Sequence, residues 1–451
     1  MKITIIGAGP GGYETAIEAA KKGIEVTVIS DGPLGGTCLN EGCIPTKVLC
    51  AAVETLEKAR RSSEFISGTD GLHPDFPALM KRKEEVVHQL RGGVEFLLNN
   101  KLITLLHGRG TVVDGHTVKV ALAEGGETEV VSDYIIVATG SVPAILPVPG
   151  NDLPGVITST ELLSIPAAPS SLAIIGGGVI GLEFASVFAA LGTEVTVIEY
   201  FKDIIPRFDG DISSRLKRSL TARGIRIETS AKVESIESAG EGLTVSWTGL
   251  KGPGSVTAEK VLMAVGRRPN PSAFGSFPVE MNRSAVAVNG YMQTSVPTVY
   301  AIGDVTGGYM LAHVATFQGK RVINHILAGQ PASGPVDGIR LDVVPAAVFT
   351  LPEAATVGKT GEECKAAGIP VKVHKAMYGA NGKAVAIGEP EGFCKIIVSE
   401  EDGRILGCHI LGAHASDLIH EAAALMNAGA TLDTLRSSIH AHPTLSEILL
   451  A

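Results

Sequence analysis

The chain has 451 residues, which is too long for one ordinary domain and favours two to four. Its 45% hydrophobic and 19% charged residues are typical of globular proteins, and its net charge of −9 argues against a general nucleic-acid-binding surface. Residues 162–182, the longest apolar stretch, contain Pro166, Pro169 and a glycine cluster, so no membrane span is expected. The N-terminus lacks signal-peptide features, which favours the cytoplasm.

The first thirty residues predict a strand, a turn, a helix and a second strand, at residues 3–6, 7–12, 16–22 and 26–29. Gly7, Gly9 and Gly12 match G-x-G-x-x-G between a strand and a helix. In this motif the first glycine permits the turn, the second lets the backbone approach a pyrophosphate, and the third lets helix and strand pack closely. The segment therefore predicts a dinucleotide site.

The acidic residue expected at the end of the second strand is less distinct. Ser30 ends the strand and Asp31 follows it. Asp31 could bind a ribose, or it could simply begin the turn at residues 31–33. The sequence leaves both possibilities open.

Two cysteines, Cys38 and Cys43, are separated by four residues and followed by Pro45 at a predicted helix start. A helix N-terminus and the nearby Lys47 would both stabilise a thiolate, which suits a two-electron relay beside a flavin. The alternatives are half of a zinc site or two buried structural thiols. Zinc is disfavoured because no second pair follows at metal spacing. The other cysteines, expected to be core or surface thiols, are Cys50, Cys364, Cys394 and Cys408.

The same arrangement recurs, with a strand at residues 172–175, a turn at 176–181, a helix at 183–191 and a strand at 194–198. Gly176, Gly178 and Gly181 lie in its turn. Glu199 ends the second strand at the distance where a carboxylate binds a ribose 2′-hydroxyl, and it would repel a 2′-phosphate, so NAD is favoured over NADP. The alternative is an ordinary surface glutamate. Two fingerprints in one chain predict two dinucleotides.

The cysteine segment, G-G-T-C-L-N-E-G-C-I-P-T-K at residues 35–47, resembles the redox-active disulfide of the pyridine nucleotide–disulfide oxidoreductases. Its Leu39-Asn40 and Ile44-Pro45 pairs are more similar to the dihydrolipoamide dehydrogenase branch than to the glutathione reductase branch. Further segments resemble the family in order along the chain, at residues 138–141, 265–270, 299–304, 311–313 and 349–353.

The resemblance implies a Cys38–Cys43 disulfide and, with the glycine-rich turns, two nucleotide sites. The residues expected at FAD are Gly7, Gly9, Gly12, Asp31, Thr37, Lys47, Thr139, Gly140, Asp304 and Ala312. Those expected at NAD or near the flavin are Gly176, Gly178, Gly181, Glu183, Glu199 and Gly266. The family also implies a Lys47–Glu183 ion pair near the flavin, although Glu183 could instead be a first-turn helix carboxylate favoured by the dipole. Ser30 departs from the glutamate usual at its position.

The C-terminal run His440–Glu447 contains a histidine before a proline, which the family uses as its acid–base residue. The resemblance assigns this role to His442 and its orientation to Glu447, and it leaves His440 and His313 as structural. Thr444 and Glu447 also form a capping-box pattern, the competing interpretation. In the family the base comes from the other subunit, so a homodimer with a shared active site is expected.

The expected fold class is α/β, with two Rossmann-like nucleotide-binding domains, a central domain and a C-terminal α+β dimerisation domain. The predicted bounds are 1–143 for FAD, 144–262 for NAD, 263–334 for the central domain and 335–451 for the interface. The resemblance implies a reaction that oxidises dihydrolipoamide and reduces NAD, with FAD and no metal. The dihydrolipoamide would be carried by the separate lipoyl-bearing protein of a 2-oxoacid dehydrogenase or glycine cleavage complex. The alternatives are a related NAD(P)H-dependent reductase of another disulfide and a non-catalytic FAD/NAD-binding subunit.

Overall fold

The computed structural model describes residues 1–69 and 71–450. They form two compact units, and each is described here by itself. The first unit contains residues 1–48, 80–144 and 267–341, and the second contains residues 49–69, 71–79, 145–266 and 342–450. The finer division into four domains stays a prediction.

The strands and helices follow one another along the chain with short connections. The strands are β1 (Lys2–Ile6), β2 (Glu25–Ser30), β3 (Ile103–Val112), β4 (Thr117–Leu122), β5 (Glu127–Val131), β6 (Tyr134–Val137), β7 (Ser141–Pro143), β8 (Val156–Ile157), β9 (Ser171–Ile175), β10 (Glu194–Ile198), β11 (Arg226–Glu228), β12 (Lys232–Ala239), β13 (Gly242–Gly249), β14 (Gly252–Ala258), β15 (Lys260–Met263), β16 (Arg267–Pro269), β17 (Met281–Asn282), β18 (Ala285–Val286), β19 (Val299–Ala301), β20 (Ala346–Val348), β21 (Ala354–Gly358), β22 (Val371–Met377), β23 (Phe393–Ser399) and β24 (Ile405–Leu411). The α-helices are α1 (Pro10–Lys21), α2 (Gly36–Glu41), α3 (Cys43–Arg61), α4 (Phe76–Leu98), α5 (Ser159–Leu162), α6 (Val179–Ala190), α7 (Gly210–Ala222), α8 (Ala312–Leu327), α9 (Gly361–Ala366), α10 (Gly382–Ala386), α11 (Ala415–Asn427) and α12 (Leu432–Arg436).

The first unit is built on a seven-stranded sheet in the order β19-β6-β1-β2-β3-β4-β5. The strands from β19 to β3 are parallel, and β3, β4 and β5 are antiparallel. Because parallel strands end at one edge of a sheet, β1, β6 and β19 bring Gly7, Thr139 and Asp304 to the same edge. Helices α1 and α8 pack closely, since a Cβ on Gly319 would lie only 1.7 Å from Thr15 Oγ1.

The second unit contains a parallel sheet in the order β11-β10-β9-β15-β8, a three-stranded sheet β12-β13-β14, and an antiparallel sheet β20-β21-β24-β23-β22. In the parallel sheet, β9, β10 and β15 bring Gly176, Glu199 and Gly266 to one edge. The antiparallel sheet packs with α11 around a core that includes Ile410 and Ile419. This architecture agrees with the expected α/β class and its α+β C-terminal part.

Both glycine-rich turns lead into helices that begin earlier than predicted. Helix α1 starts at Pro10 and not at residue 16, and α6 starts at Val179 and not at residue 183. Gly9 and Gly178 are their extended N-caps, so the helices begin inside the motif. Each helix N-terminus therefore lies directly at the turn, where a phosphate would meet it. Within the described residues, every helix is too short or too polar to cross a lipid bilayer.

Candidate active site

The first glycine-rich turn has backbone contacts that leave no room for a side chain at its first and third glycines. Gly7 has φ of +109°, and a Cβ there would lie 2.3 Å from the Ala138 carbonyl oxygen. A Cβ on Gly12 would lie 1.8 Å from the carbonyl oxygen of Gly7. Gly9 has no side chain that could cap α1, so the positive N-terminal end of this helix is open at the turn. The turn therefore fits a pyrophosphate, as FAD would place here.

A second backbone segment lies against this turn. A Cβ on Gly36, whose φ is +58°, would lie 2.7 Å from Gly9 Cα, and the Gly35 N–H donates to the Ala8 carbonyl at 2.9 Å. The segment places Thr37, exposed in the first turn of α2, next to the glycine-rich turn. The fit of these residues to a dinucleotide thus extends from the first motif to the cysteine segment.

Two other strand ends complete the same edge of the first unit. The Thr139 hydroxyl donates to the Asn270 carbonyl at 2.6 Å, and Gly140 has φ of +69°. Asp304 accepts a hydrogen bond from the Ser141 hydroxyl at 2.5 Å. Arg267 donates from Nε to the same hydroxyl at 2.7 Å, so the Asp304 carboxylate is held in place. Burial lowers the pKa of the Arg267 guanidinium, while the charge of Asp304 opposes this effect.

The end of β2 differs from what a ribose site usually offers. Ser30 is buried and donates from its hydroxyl to the Gly32 carbonyl at 2.8 Å, so it stabilises the turn that follows. Asp31 is exposed in that turn. Its contact with a ribose stays a prediction. Ala312 is the first residue of α8, so its backbone N–H has no acceptor within its own helix.

The cysteine pair lies at a junction of two helices. Cys38 is in α2 and half-buried, whereas Cys43 is exposed as the first residue of α3. Both carry thiols in this structure. The hydrogen bond between their side chains, followed by burial, raises the pKa of Cys38, and the nearby Lys47 acts in the opposite direction. Cys43 thus lies at the helix terminus that favours a thiolate.

Two residues to which the sequence analysis gave no structural role, Asn40 and Arg91, hold this segment. The Asn40 side-chain amide donates to the carbonyls of Leu34 and Gly36 at 3.0 and 2.9 Å. Its oxygen accepts two hydrogen bonds from Arg91, at 3.0 and 2.7 Å. Arg91 lies on α4, 51 residues away, so local spacing gave no signal for this contact.

The second glycine-rich turn repeats the first. Gly176 has φ of +114°, and its Cβ would lie 2.3 Å from the Ala264 carbonyl oxygen. A Cβ on Gly181 would lie 2.0 Å from the Gly176 oxygen. Glu199 is buried and is therefore not an ordinary surface residue. Its carboxylate accepts from the backbone N–H groups of Gly177 and Phe201, which places it directly beside the turn. These residues fit the adenosine half of NAD.

Glu183 is also buried, and it is the fifth residue of α6, beyond the first turn in which the dipole acts most strongly. Its carboxylate accepts from the Phe349 N–H at 3.1 Å. Glu183 is therefore not a first-turn helix carboxylate, which was the alternative that the sequence left open. The ion pair with Lys47 stays a prediction. Gly266 has φ of +104° just after β15.

The C-terminal histidine and glutamate are in contact. His442 Nδ1 lies 3.0 Å from Glu447 Oε1, and the Thr444 N–H donates to Glu447 Oε2 at 2.8 Å. The carboxylate therefore orients the imidazole and also caps the short helix Leu445–Leu450, so the two sequence interpretations are compatible. The Thr444 N–H and then the His442 side chain lower the pKa of Glu447. The His442 side chain is 79% exposed in the single chain.

A buried charge cluster in the second unit was also not anticipated. Lys395 Nζ lies 2.8 Å from both oxygens of Asp209 and 2.8 Å from Asp211 Oδ2. Lys375 Nζ contacts Asp211 at 2.8 Å, and together the lysines lower the pKa of Asp211 to about 2. Asp209 is fully buried at the N-cap of α7, so the cluster fixes the segment that follows Glu199.

Comparison with known proteins covers almost the whole chain. Residues 1–319 match the family described as pyridine nucleotide-disulphide oxidoreductase, and residues 344–450 match the dimerisation domain of that family. A dihydrolipoyl dehydrogenase of Chlamydia muridarum is 41% identical, over 98% of this chain and 94% of its own length. The dihydrolipoyl dehydrogenase of Geobacillus stearothermophilus is 38% identical, over 99% and 94%.

Two solved structures are similar over their full length. LpdA from Mycobacterium tuberculosis has a TM-score of 0.91 at 29% identity, and the match covers 100% of this chain and 98% of that one. The HOCl-induced flavoprotein disulfide reductase RclA from Escherichia coli, solved as the Cu(II) complex of its C43S mutant, has a TM-score of 0.88 at 30% identity, with 99% and 97% covered.

Proposed function

Because the chain belongs to the pyridine nucleotide-disulphide oxidoreductase family, we propose that it oxidises the dihydrolipoyl group of a lipoyl-bearing protein to lipoamide and reduces NAD. It is a flavoprotein oxidoreductase that uses FAD and NAD. The observation that carries the proposal is the Cys38–Cys43 pair, whose side chains are hydrogen-bonded beside the first glycine-rich turn. A protein that only bound nucleotides would need no such pair.

When bound, FAD would supply the two-electron redox chemistry that connects a dithiol with NAD. The residues proposed to hold it are those at the three strand ends of the first unit, with the glycine-rich turn at the pyrophosphate and Asp304 at the sugar chain. Glu199 would hold the NAD ribose, and its charge would exclude a 2′-phosphate.

In the proposed first step, His442 removes a proton from one thiol of the substrate. The step needs a base because only a thiolate attacks a disulfide efficiently, and an ordinary thiol is mostly protonated near neutral pH. Glu447 Oε1, 3.0 Å from His442 Nδ1, fixes the ring and stabilises the imidazolium that forms. The other nitrogen, Nε2, is thus the one that takes the proton.

The substrate thiolate then attacks Cys38 Sγ of the oxidised pair, so that a substrate–Cys38 bond forms and Cys43 leaves as a thiolate. The second substrate thiol attacks the same mixed disulfide and releases cyclic lipoamide, and Cys38 leaves with the electron pair and takes up a proton. Two thiols of the substrate are thereby oxidised, and one protein disulfide is reduced to the Cys38 thiol and the Cys43 thiolate, while His442 keeps the first proton. The position of Cys43 at the start of α3 favours its leaving as a thiolate.

We further propose that the active protein is a homodimer in which the base segment of one protomer completes the site of its partner. The match of residues 344–450 to a dimerisation domain supports this arrangement. The His442 side chain is 79% exposed in the single chain, which also supports it. An acid–base residue that faces open water has no surrounding protein to shield its substrate from solvent. The cytoplasm stays the predicted location.

The test measures NAD reduction by the purified holoenzyme with free dihydrolipoamide, beside NADPH oxidation with glutathione disulfide. Activity in the first assay alone is expected. Cys38→Ser should lower dihydrolipoamide oxidation by at least a thousandfold while the bound flavin is retained, because the mixed disulfide cannot form. Cys364→Ser, the same change at a buried cysteine on α9, should keep near-wild-type activity.

A wild-type protein with a bound flavin that fails on dihydrolipoamide would refute the substrate and leave a reductase of another disulfide. RclA gives this second candidate its support, since it is a disulfide reductase of the same fold. A fully active Cys38→Ser variant would refute the whole thiol mechanism.

A further inference from the structure

His440 precedes the proposed base by two residues, and both of its ring nitrogens are engaged. Nε2 lies 2.8 Å from Glu421 Oε1 on α11, and Nδ1 lies 2.9 Å from the Ser438 carbonyl oxygen. Its side chain is 7% exposed. The other residues from 437 to 443 are all exposed, so His440 is the buried anchor of this segment.

The partners of His440 constrain its proton content. A carboxylate and a backbone carbonyl are both acceptors, and a neutral imidazole can donate only once. Both contacts of the ring can therefore be hydrogen bonds only when the His440–Glu421 pair holds one proton more than a neutral ring and a carboxylate together. His409 differs, because its Nδ1 faces the Thr356 hydroxyl, which can itself donate, and its Nε2 faces the Lys359 carbonyl. Burial lowers the pKa of His409, which keeps that ring neutral.

The carboxylate that holds His440 lies on a fixed helix. Glu421 is in the middle of α11, whose first turn is held by Glu353, since the Ser416 N–H donates to Glu353 Oε2 at 2.9 Å. One face of α11 is buried against the antiparallel sheet. The contact of Glu421 with His440 thus ties an exposed segment to a rigid element, two residues from His442.

The charge of His440 also reaches the carboxylate that orients the base. It contributes, after the Thr444 N–H and His442, to lowering the pKa of Glu447. A positive charge on His440 therefore acts on two carboxylates, Glu421 by direct contact and Glu447 through its charge alone.

We infer that His440 is a positioning residue for the proposed reaction: with Glu421 it fixes the segment that carries His442, two residues further along the chain, and a positive His440 ring balances the Glu421 carboxylate. The inference rests on the proposed function, in which His442 accepts the thiol proton. It assigns to His440 more than the structural role that the sequence suggested. His440 itself does not touch the substrate.

Other charged and titratable groups lie on the four elements that pack against the helix Leu445–Leu450. They are Asp417 and His420 on α11, Asp433 and Arg436 on α12, Lys372, His374 and Lys375 on β22, and Cys394 and Lys395 on β23. His374 contacts Arg436, and Lys375 and Lys395 are bound to Asp211, so these groups have partners away from His440.

The test compares His440→Gln with the wild-type holoenzyme in two reactions. Dihydrolipoamide oxidation needs the base, whereas NADH oxidation by ferricyanide does not involve thiol exchange. We expect kcat/KM for dihydrolipoamide to fall roughly tenfold or more, because small displacements of a reacting group are costly. The ferricyanide reaction and the KM for NAD should stay within about twofold, since neither uses the thiol base.

The pH profile separates positioning from a general structural role. Without His440, Glu421 is an uncompensated negative charge that favours protonated His442, so the acidic limb of kcat/KM should move up by roughly half a pH unit. The double variant Glu421→Gln/His440→Gln should restore this limb but keep the lower rate. The matched control is His420→Gln, the same change at the exposed neighbour of Glu421 on α11.

Each other outcome overturns the inference. A His440→Gln enzyme with the rate and pH profile of His420→Gln would show that His440 does not position the base. An equal loss in the ferricyanide reaction would show general damage to the fold. A wild-type enzyme inactive on dihydrolipoamide would refute the proposed function, and this inference with it.

Discussion

The two glycine-rich turns are almost identical in backbone, but the strand ends beside them are not. Gly7 and Gly176 have φ of +109° and +114°, and a Cβ on either would lie 2.3 Å from a carbonyl oxygen of the neighbouring strand end. At the next strand end, the first turn has Ser30, which bonds its own turn, and the second has Glu199, which bonds Gly177. The common backbone of the two turns fits the pyrophosphate that all dinucleotides contain. The residue at the neighbouring strand end distinguishes one dinucleotide from another.

The third glycine of each turn gives the largest expected effect. In Gly12→Ala a Cβ would lie 1.8 Å from the Gly7 oxygen, and in Gly181→Ala 2.0 Å from the Gly176 oxygen. Such overpacking costs about 1–3 kcal/mol, which weakens binding roughly ten- to a hundredfold. Gly12→Ala should lose bound FAD, as measured by flavin absorbance. Gly181→Ala should keep FAD and raise the KM for NAD.

The matched control is Gly92→Ala in α4, where a Cβ meets open space. It should leave both FAD content and the KM for NAD unchanged. If Gly12→Ala and Gly181→Ala affected the same cofactor, the assignment of one turn to each dinucleotide would be wrong.

A smaller effect is expected at the strand end that distinguishes the two sites. Glu199→Gln removes the charge proposed to bind the ribose and repel a 2′-phosphate. The KM for NAD should rise about tenfold, and the preference for NAD over NADP should fall by about a hundredfold, because like-charge contacts cost several kcal/mol. Both values come from initial rates with each nucleotide. Glu194→Gln, at the exposed start of the same strand, should behave as wild type, and a Glu199→Gln enzyme with unchanged preference would contradict the assignment.

The smallest expected effect concerns the charge cluster behind the second turn. Asp211→Asn should lower the melting temperature at pH 7 by roughly 1–3 °C, since its side chain is 46% exposed and such pairs contribute little. The lysines hold the folded pKa of Asp211 at about 2, below the ordinary 3.8. The contribution is therefore present above pH 4 and is lost as the pH falls towards 2.

Melting curves of wild type and Asp211→Asn should thus converge below about pH 4. Asp203→Asn, an exposed aspartate in the segment before α7, is the control and should follow the wild type at every pH. A difference that grew on acidification would show that another group is responsible.

The local parts of both sites could be predicted from the sequence, because their chemistry depends on neighbouring residues. The glycine spacing and the cysteine segment are of this kind. The contact of His442 with Glu447 was implied by the family resemblance of a local run, because the residues alone left a helix cap equally possible. The helix starts at Pro10 and Val179 were placed too late, because apolar periodicity begins only after the glycines. A glycine N-cap gives no signal of that type.

Contacts between distant residues could not be predicted. Asp209 and Lys395 are 186 residues apart, and His440 and Glu421 are on separate elements. One charged residue in a sequence does not indicate its partner, and a lone histidine on a loop is usually interpreted as structural. These pairs form only when the chain is folded. The folded structure therefore also determines that His440 is held by Glu421 and that His442 is exposed.

For protein engineering, Glu447 is a position with almost no freedom of design. One carboxylate oxygen faces His442, and the other accepts the Thr444 N–H. Glutamine offers a single acceptor oxygen and would have to give up one of the two contacts. Aspartate has a shorter side chain. A redesign that aims to tune the base must therefore begin with a neighbour such as His440, where a change in charge leaves the helix cap intact.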